Sequence, residues 1–397
     1  MFTKLRFAAA VMAVSGFIPT CSYAANGVIG LDNGIDLTPS ITLGYWNNDN
    51  ITASEFNRSS SGEARMRANV LAELKQGRTE YSLNYNGVLG RYDDSENNYD
   101  DHQLNLGIST VASSTSELSG SFHYARLHEA RGTGLSQGLA ELINTPVEFD
   151  NLGFDLNWKY SFLAERFWME AALSYLEKEY QNAEVLSANL DNDQLQSQVS
   201  LFWRTGNESS IFVQGRHTLI DYDDDSLEEF TRDGNDYRLL AGLRWSRGAL
   251  GYGSLGFGFQ KKQFDSALRE EFNGFSWEVK LAWNPLERLG FEVESSRASV
   301  EPPLNGDYVR QISHALSMGY NVSERIRLTS YIDYADLRFV GIERDEEKTN
   351  FGVGLVYAFR SNISVELTAK RQDNDSNLDG YSYEQNVIGL DVTLGLK

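Results

Sequence analysis

The chain has 397 residues, of which 41% are hydrophobic and 12% aromatic, with 34 Gly, 6 Pro and a formal charge of −21. That balance excludes long disorder, which is poor in aromatics, and a nucleic-acid binder, which needs clustered Lys and Arg. Helical membrane spans are excluded too, because after residue 25 no apolar run approaches the ~20 residues needed to cross a bilayer.

In chain order, the first element is a secretory signal peptide, residues 1–24. Lys4 and Arg6 supply its basic start, Phe7–Ile18 its apolar stretch, and Ser22-Tyr23-Ala24 a small-x-small cleavage site. Cys21 is the chain's one cysteine; Ile18-Pro19-Thr20 before it lacks the small residue that lipidation wants. Cleavage after Ala24 leaves a mature chain without cysteine, so disulfides, thiolate nucleophiles and Cys-bound metals are ruled out. Residues 25–34 read as a periplasmic tail and 35–397 as a single domain.

From there one signal repeats to the end. Segments of about ten residues alternate apolar with polar or small side chains, the period of a β-strand. Phe154, Leu156, Trp158 and Tyr160 alternate with Asp155, Asn157 and Lys159. Phe275, Trp277, Val279, Leu281 and Trp283 alternate with Ser276, Glu278, Lys280 and Ala282. Ile388, Leu390, Val392, Leu394 and Leu396 close the chain in the same rhythm. Short turns fall at 75–78, 113–116, 161–165, 205–208, 247–249, 284–287, 321–324 and 360–362. Longer polar loops fall near 47–63, 91–101, 127–148, 177–193, 221–235, 261–272, 297–307, 337–347 and 371–382. Eight turns and nine loops predict eighteen strands. The fold class is therefore all-β: a single antiparallel up-and-down transmembrane barrel, with short periplasmic turns, longer extracellular loops and both termini periplasmic.

A soluble sandwich is the rival, and two features decide against it. Tyr45, Tyr81, Tyr85, Trp158, Tyr160, Trp203, Trp245, Trp283, Tyr320 and Phe359 sit near the ends of the apolar faces, as interfacial girdles do. The opposite faces carry charge at mid-strand, which two packed sheets would not repeat so often. The nine loops hold 12 basic against 35 acidic residues, so the net charge of the mature chain lies on the loop side.

An eighteen-stranded barrel is wide enough for an aqueous channel. By parity its lining includes Arg65, Arg67, Glu80, Asp155, Lys159, Glu170, Arg204, Arg216, Arg238, Arg244, Lys280, Glu292, Glu294 and Arg327, and also Asn69, Asn84, Gln196, Gln214, Asp333, Glu366 and Lys370. Bases concentrate over 204–244 and acids over 278–294. Two readings are open: a field across the pore that orients a polar polymer, or pairing between neighbouring strands. Trp168, Phe202, Tyr252 and Tyr331 share this parity, and offer either a stacking track for sugar rings or local packing. Loop 127–148 is the longest. Its Leu135–Ile143 segment could form a turn or two of helix, either inside the mouth or as a surface lid.

Other chemistry is thinly represented. Asp221-Tyr222-Asp223-Asp224-Asp225-Ser226 begins like a calcium loop, but has Ser226 where Gly is needed and Arg232 where Glu is needed. The segment starting at Asp373 fails at Leu378. Loose divalent-cation bridging between these acids and lipopolysaccharide phosphates remains open. His102, His123, His128, His217 and His314 show no metal-ligand spacing. His217 and His314 face outward, where a lipid-cleaving histidine could sit, yet no motif marks a nucleophilic serine. The expectation is a non-enzyme without metal or cofactor.

Ile35-Asp36-Leu37-Thr38-Pro39-Ser40-Ile41-Thr42-Leu43-Gly44-Tyr45, followed by Asn48-Asp49-Asn50, resembles the opening strand of the putative beta-barrel porin 2 family. That family includes barrels of the exopolysaccharide-export type found with capsule and biofilm loci of Gram-negative bacteria. The resemblance implies an outer-membrane location and secretion of an exopolysaccharide or capsular polysaccharide. One departure is the C-terminus, Leu394-Gly395-Leu396-Lys397, where outer-membrane barrels usually finish on an aromatic. Three functions follow as expectations. The first is an export conduit working with periplasmic parts of a polysaccharide synthesis system; the second is a general or oligosaccharide-selective porin for hydrophilic solutes; the third is a surface adhesin or structural barrel. Expected partners are the transported solute, outer-membrane lipid with lipopolysaccharide, and the barrel-assembly machinery.

Overall fold

The computed structural model describes residues 28–396 apart from 32, 163–165, 224–230 and 248–250. The expected signal peptide lies outside the described residues. The strands are β1 (Ile29–Gly30), β2 (Ile35–Asn48), β3 (Ser61–Gln76), β4 (Thr79–Tyr92), β5 (Tyr99–Ser113) and β6 (Ser116–Glu129). Next come β7 (Val147–Phe162), β8 (Phe167–Tyr180), β9 (Asn192–Arg204), β10 (Ser209–Tyr222), β11 (Gly234–Arg247), β12 (Gly251–Phe264) and β13 (Phe272–Leu286). The last are β14 (Leu289–Val300), β15 (Tyr308–Asn321), β16 (Ile326–Val340), β17 (Arg344–Arg360), β18 (Ile363–Ser376) and β19 (Tyr383–Gly395).

Each strand from β2 to β19 pairs antiparallel with the next, and β19 pairs back on β2, so eighteen strands close on themselves. The two-residue β1 folds back on β2, pairing Ile29 with Leu37 and Gly30 with Asp36. Following paired residues once round the wall from Thr42 returns to β2 displaced by about 22 residues. That stagger tilts the strands by roughly 40° and gives a backbone radius of roughly 17 Å.

Alternation puts one apolar row per strand outside. Leu43, Tyr45, Leu201, Trp203, Leu239, Phe259, Leu328, Ile332, Leu355, Ile388 and Leu390 are all exposed. At the end with short connections the outer rings form a continuous chain: Trp158 to Tyr160, 5.6 Å; Tyr160 to Phe162, 6.0 Å; Phe162 to Phe167, 6.2 Å; Phe167 to Trp203, 5.7 Å. An exposed apolar belt with aromatic girdles suits hydrocarbon and not water.

The strands run further into the loop side than alternation predicts. The connection expected at 337–347 is only the segment 341–343 between β16 and β17. Beyond the apolar belt both faces are polar, so the sequence period disappears while the backbone ladder continues. The loop acids are correspondingly divided between connections and protruding strand ends.

Interior ring packing depends on glycine. Trp46 lies against Gly389, where an added Cβ would come within 2.2 Å of the indole, and Tyr331 lies against Gly352 at 2.1 Å. The rings thus lie flat on the neighbouring strand and do not fill the lumen. Replacing Gly389 with Leu should displace Trp46 and break its 2.9 Å bond to Asp391, lowering stability by about 1–3 kcal/mol. Urea titration of the barrel in detergent, read by heat-modifiable mobility, measures this; an unchanged midpoint would refute the close-packing account.

Candidate functional site

The registers place Arg65 and Arg67 on β3, Glu80 on β4, Asp155 and Lys159 on β7, and Trp168 and Glu170 on β8, all on the face opposite the exposed apolar rows. Arg204 on β9, Arg216 on β10, and Arg238 and Arg244 on β11 share that face. So do Lys280 on β13, Glu292 and Glu294 on β14, and Arg327 and Tyr331 on β16. Contacts that skip strands identify it as the concave side: Arg244 of β11 reaches Glu170 of β8, and Arg238 of β11 reaches Glu278 of β13.

These charges are largely tied to one another. Glu278 accepts from Arg216 at 3.1 Å and from the buried Arg238, whose second amino group donates to the Trp277 carbonyl at 3.0 Å. Arg216 also donates to Gln198 at 3.1 Å. Arg244 donates to both Glu170 oxygens at 3.0 Å, with its guanidinium 4.1 Å above the Phe202 ring. Lys159 meets Glu117 at 3.3 Å, and Lys75 meets Glu80 at 2.9 Å. Asp155 accepts from Ser121 at 3.0 Å. The contrast between bases over 204–244 and acids over 278–294 is thus bridged at Glu278.

A second basic group stands across the lumen. Arg65 grips Glu63 through two bonds of 2.8 and 2.6 Å, and its guanidinium lies 4.6 Å from the Trp46 ring, with the Lys370 ammonium 5.1 Å from the same ring. In a ring of eighteen, strands nine apart face each other, so β18 opposes β9 and β3 opposes β12. The tilt brings Arg65, Arg67 and Lys370 to within roughly 5 Å of the height of Arg216 and Arg238. Between the two groups, Glu292, Glu294 and Asp333 make a carboxylate stripe on β14 and β16, with Lys280 at 3.4 Å from Glu294.

The aromatic residues do not form a uniform track. Phe202 is 2% exposed, stacked face to face with Trp168 at 4.8 Å and packed with Phe212 and Leu240. Gly242 makes room for Phe212, since an added Cβ there would come within 2.7 Å of that ring. Trp168 donates to Glu170 at 3.0 Å, and Arg204 lies 5.9 Å from its ring. Of the four rings, Tyr252 stands clear, at 49% exposed. Local packing, and not stacking for a ligand, accounts for Phe202.

The segment between β6 and β7, residues 130–146, crosses the loop end. It forms a 3-10 turn, Gly134–Ser136, and no longer helix. Leu135 is fully buried with Val147 and Leu190, against Ile143 of the same segment, Tyr180 of β8, and Leu186 and Leu304 from other connections. Glu129 accepts from the Leu135 amide at 2.7 Å, fixing the segment's start. Its far side reaches β17: the Gln137 amide donates to Glu346 at 2.9 and 3.1 Å, while Arg344 donates to Glu346 at 2.7 Å and Lys348 lies 3.3 Å from it. Because β17 lies opposite β8, this contact spans the mouth. Sequence reasoning named this segment but missed its anchors, since Arg344, Glu346 and Lys348 fall where the alternation had faded.

The histidines are held by neighbouring side chains, His128 by Asp101 at 2.8 Å and His102 by Tyr85 at 2.9 Å. The outward His217 contacts Asn235 at 2.8 Å and stacks on Tyr237 at 4.7 Å, and His314 stacks on Tyr334 at 6.4 Å. Among the described residues no three His, Cys, Asp or Glu side chains converge as metal ligands. Part of the loop after Asp223 lies outside the described residues.

The Glu278 hub makes a strong demand. Glu278→Ala leaves Arg238 buried and unpaired and should cost about 3–5 kcal/mol, whereas Lys280→Ala, at an exposed pair, should cost under about 1 kcal/mol. Equal losses in denaturant titrations would contradict the hub.

Among solved structures, the chain is similar to a BenF-like porin from Pseudomonas fluorescens Pf-5, at 9% identity and TM-score 0.50, covering 91% of this chain and 99% of that one. It is similar to OpdO of Pseudomonas aeruginosa at 13% identity and TM-score 0.49, covering 93% and 99%. For the FrpB iron transporter of Neisseria meningitidis (F3-3 variant) the identity is 11% and the TM-score 0.47, with 87% of this chain covering 63% of that one. No curated protein matches. The putative beta-barrel porin 2 family matches residues 36–396, from the second residue of the first barrel strand to just beyond the last. The chain belongs to that family and is a porin-like outer-membrane barrel.

Proposed function

We propose that the protein is a passive outer-membrane channel for hydrophilic solutes, narrowed at its extracellular mouth by residues 130–146. The observation that carries this reading is a closed ring with a charged, hydrogen-bonding interior and, among the described residues, a connection anchored on the opposite wall. A backbone radius of roughly 17 Å leaves room for water once side chains are subtracted, so the crossing segment sets the aperture. The long connections then face outside and the turns and termini the periplasm. Lining residues would be Arg67, Lys370, Glu292, Glu294, Asp333 and Tyr252, with the paired arginines forming a fixed wall. Assembly machinery and surrounding lipopolysaccharide are the partners this placement requires.

Planar-bilayer recording tests the channel. The wild type should conduct, and Gln137→Ala with Glu346→Gln should raise mean conductance about twofold or more, with added flicker, because the segment loses its far anchor. Unchanged conductance would show that the segment does not limit flow. Glu292→Gln with Asp333→Asn should move the reversal potential in a KCl gradient toward anion preference; no shift would remove these carboxylates from the permeation path.

A second reading, export of an exopolysaccharide, draws support from the same crossing segment, since a mouth held by side-chain bonds suits a gated conduit. Deleting the gene separates the two. Polymer retained inside the cell favours export; normal surface polymer with slowed solute uptake favours the porin. An adhesin would instead lose attachment, with conductance intact, when the acidic loops are shortened.

A further inference from the structure

Between β13 and β14 the ladder stops short. Its last rung toward the loops is Trp277–Arg297, although β13 goes on pairing with β12 up to Phe272 and β14 with β15 up to Val300. Outward positions on β14 change at the same place, from Phe291 and Val293 to Ser295, Arg297 and Ser299. The seam is therefore closed along the hydrocarbon and open above it, where water can satisfy a strand edge.

Above the last rung, side chains of the wall take the place of the β13 backbone. The Gln260 amide of β12 donates to the Ser299 carbonyl at 3.3 Å and accepts from the Ser299 N–H at 2.9 Å, as a strand neighbour would. Ser276 and Arg238 donate to the Arg297 carbonyl at 2.7 and 3.3 Å. The end of β14 thus lies on the inner face of β12 and β13, and β15 follows it. Phe264 and Phe272, from inward rows, pack against Tyr308 and Val340, from the outward rows of β15 and β16; the Phe272 and Tyr308 rings are 5.6 Å apart. Two layers of wall overlap here. Glu301 secures this flap by accepting from Tyr222 at 2.7 Å and from the buried Lys262. Beyond it, Leu304 joins the cluster of Leu135, from the segment that crosses the mouth.

We propose that this overlap is a gate with a second, unrolled state, in which the ends of β14 and β15 move out into line with β13 and the ladder continues upward. The register of the lower rungs dictates the new pairs: Ser276 with Ala298, Phe275 with Ser299 and Gly274 with Val300. Pro302 and Pro303 end the extension, having no N–H to give. The exchange orphans no backbone group of Ser299, because the β13 backbone replaces the Gln260 amide. It also draws Leu304 away from Leu135, so the mouth widens while the crossing segment keeps its own anchor on Glu346. The hinge is the Trp277–Arg297 rung, below which the wall stays closed against lipid. The gating role rests on the channel reading above; the movement itself does not.

Phe275 and Ser299 report the unrolled state. In this structure Phe275 is exposed on the outer face while Ser299 is buried against Gln260 on the inner one; in the extended ladder they stand directly opposite, with Cβ atoms about 5 Å apart. The Ser299 hydroxyl makes no hydrogen bond, so its replacement disturbs little. The full barrel carrying Phe275→Cys and Ser299→Cys, with Cys21→Ser, is oxidised in detergent and the disulfide followed by peptide mass spectrometry. It should form, and about tenfold faster when Gln260→Ala or Glu301→Gln is added. Gln214→Ala, which loses its 3.1 Å bond to Ser200 elsewhere on the inner wall, should leave the rate unchanged. Heat-modifiable mobility checks that each variant is folded. In planar bilayers the oxidised barrel should conduct at least about twofold more than the reduced one, and reductant should reverse the change. No disulfide in a folded barrel, or one rate with and without Gln260 and Glu301, would overturn the movement; a disulfide that leaves conductance unchanged would overturn the gate. A barrel that never conducts would refute the channel reading and the gating role with it, while the disulfide still decides the movement.

Discussion

Everything in this barrel follows from the backbone's need for hydrogen bonds where no water can supply them. In a bilayer, an unpaired strand edge exposes a row of amide and carbonyl groups, each costing several kcal/mol. The pairing of β19 with β2, from Val387 opposite Asn48 to Gly395 opposite Ser40, removes both edges at once. Closure then dictates the rest. Eighteen strands with a stagger of about 22 residues define one radius and one tilt, so the lumen is a consequence of register and not a separately designed cavity.

Given that lumen, the interior must be polar without being loose. The sequence solves this in two ways. Rings lie flat across glycines of the next strand, as Trp46 does on Gly389 and Tyr331 on Gly352, so that large side chains stiffen the wall without projecting. Arginines are paired in chains that skip strands, as Arg244 with Glu170 and Arg238 with Glu278 do, so that neighbouring hairpins are tied together on the concave side. Both devices favour one register over a slipped one, because a shift by one residue would turn the whole set outward.

How much of this was legible depends on where the period of two survives. Strand number follows from the count of turns and loops, and the facing of Arg65 through Tyr331 from alternation, because apolar and polar neighbours differ in solvent on the two sides of the wall. Strand ends do not follow, since beyond the apolar belt both faces are wet; β16 and β17 therefore continue through what reads as the loop 337–347. The partners of buried charges were also hidden. Nothing in a linear pattern says that Glu278 would gather Arg216 and Arg238, or that Gln137 would find Glu346 on the opposite wall, because these contacts depend on strand order around a circle and on the stagger between distant strands.

The crossing segment shows why charge pairing on the wall and selectivity are different matters. Glu346 is fully buried and accepts from Arg344 and Gln137 together, so it is a mechanical anchor and exerts little field on the lumen. Glu278, though partly exposed, is likewise held between its two arginines. On the proposed channel reading, what a passing solute would meet is set by charges with fewer close partners, chiefly the stripe of Glu292, Glu294 and Asp333, with Lys370 two to four strands away and Arg67 five to seven. On that reading a transverse field would run between different residues from those that the charge blocks in the sequence suggest. The paired arginines hold the wall in place, and the thinly paired groups between them give it polarity.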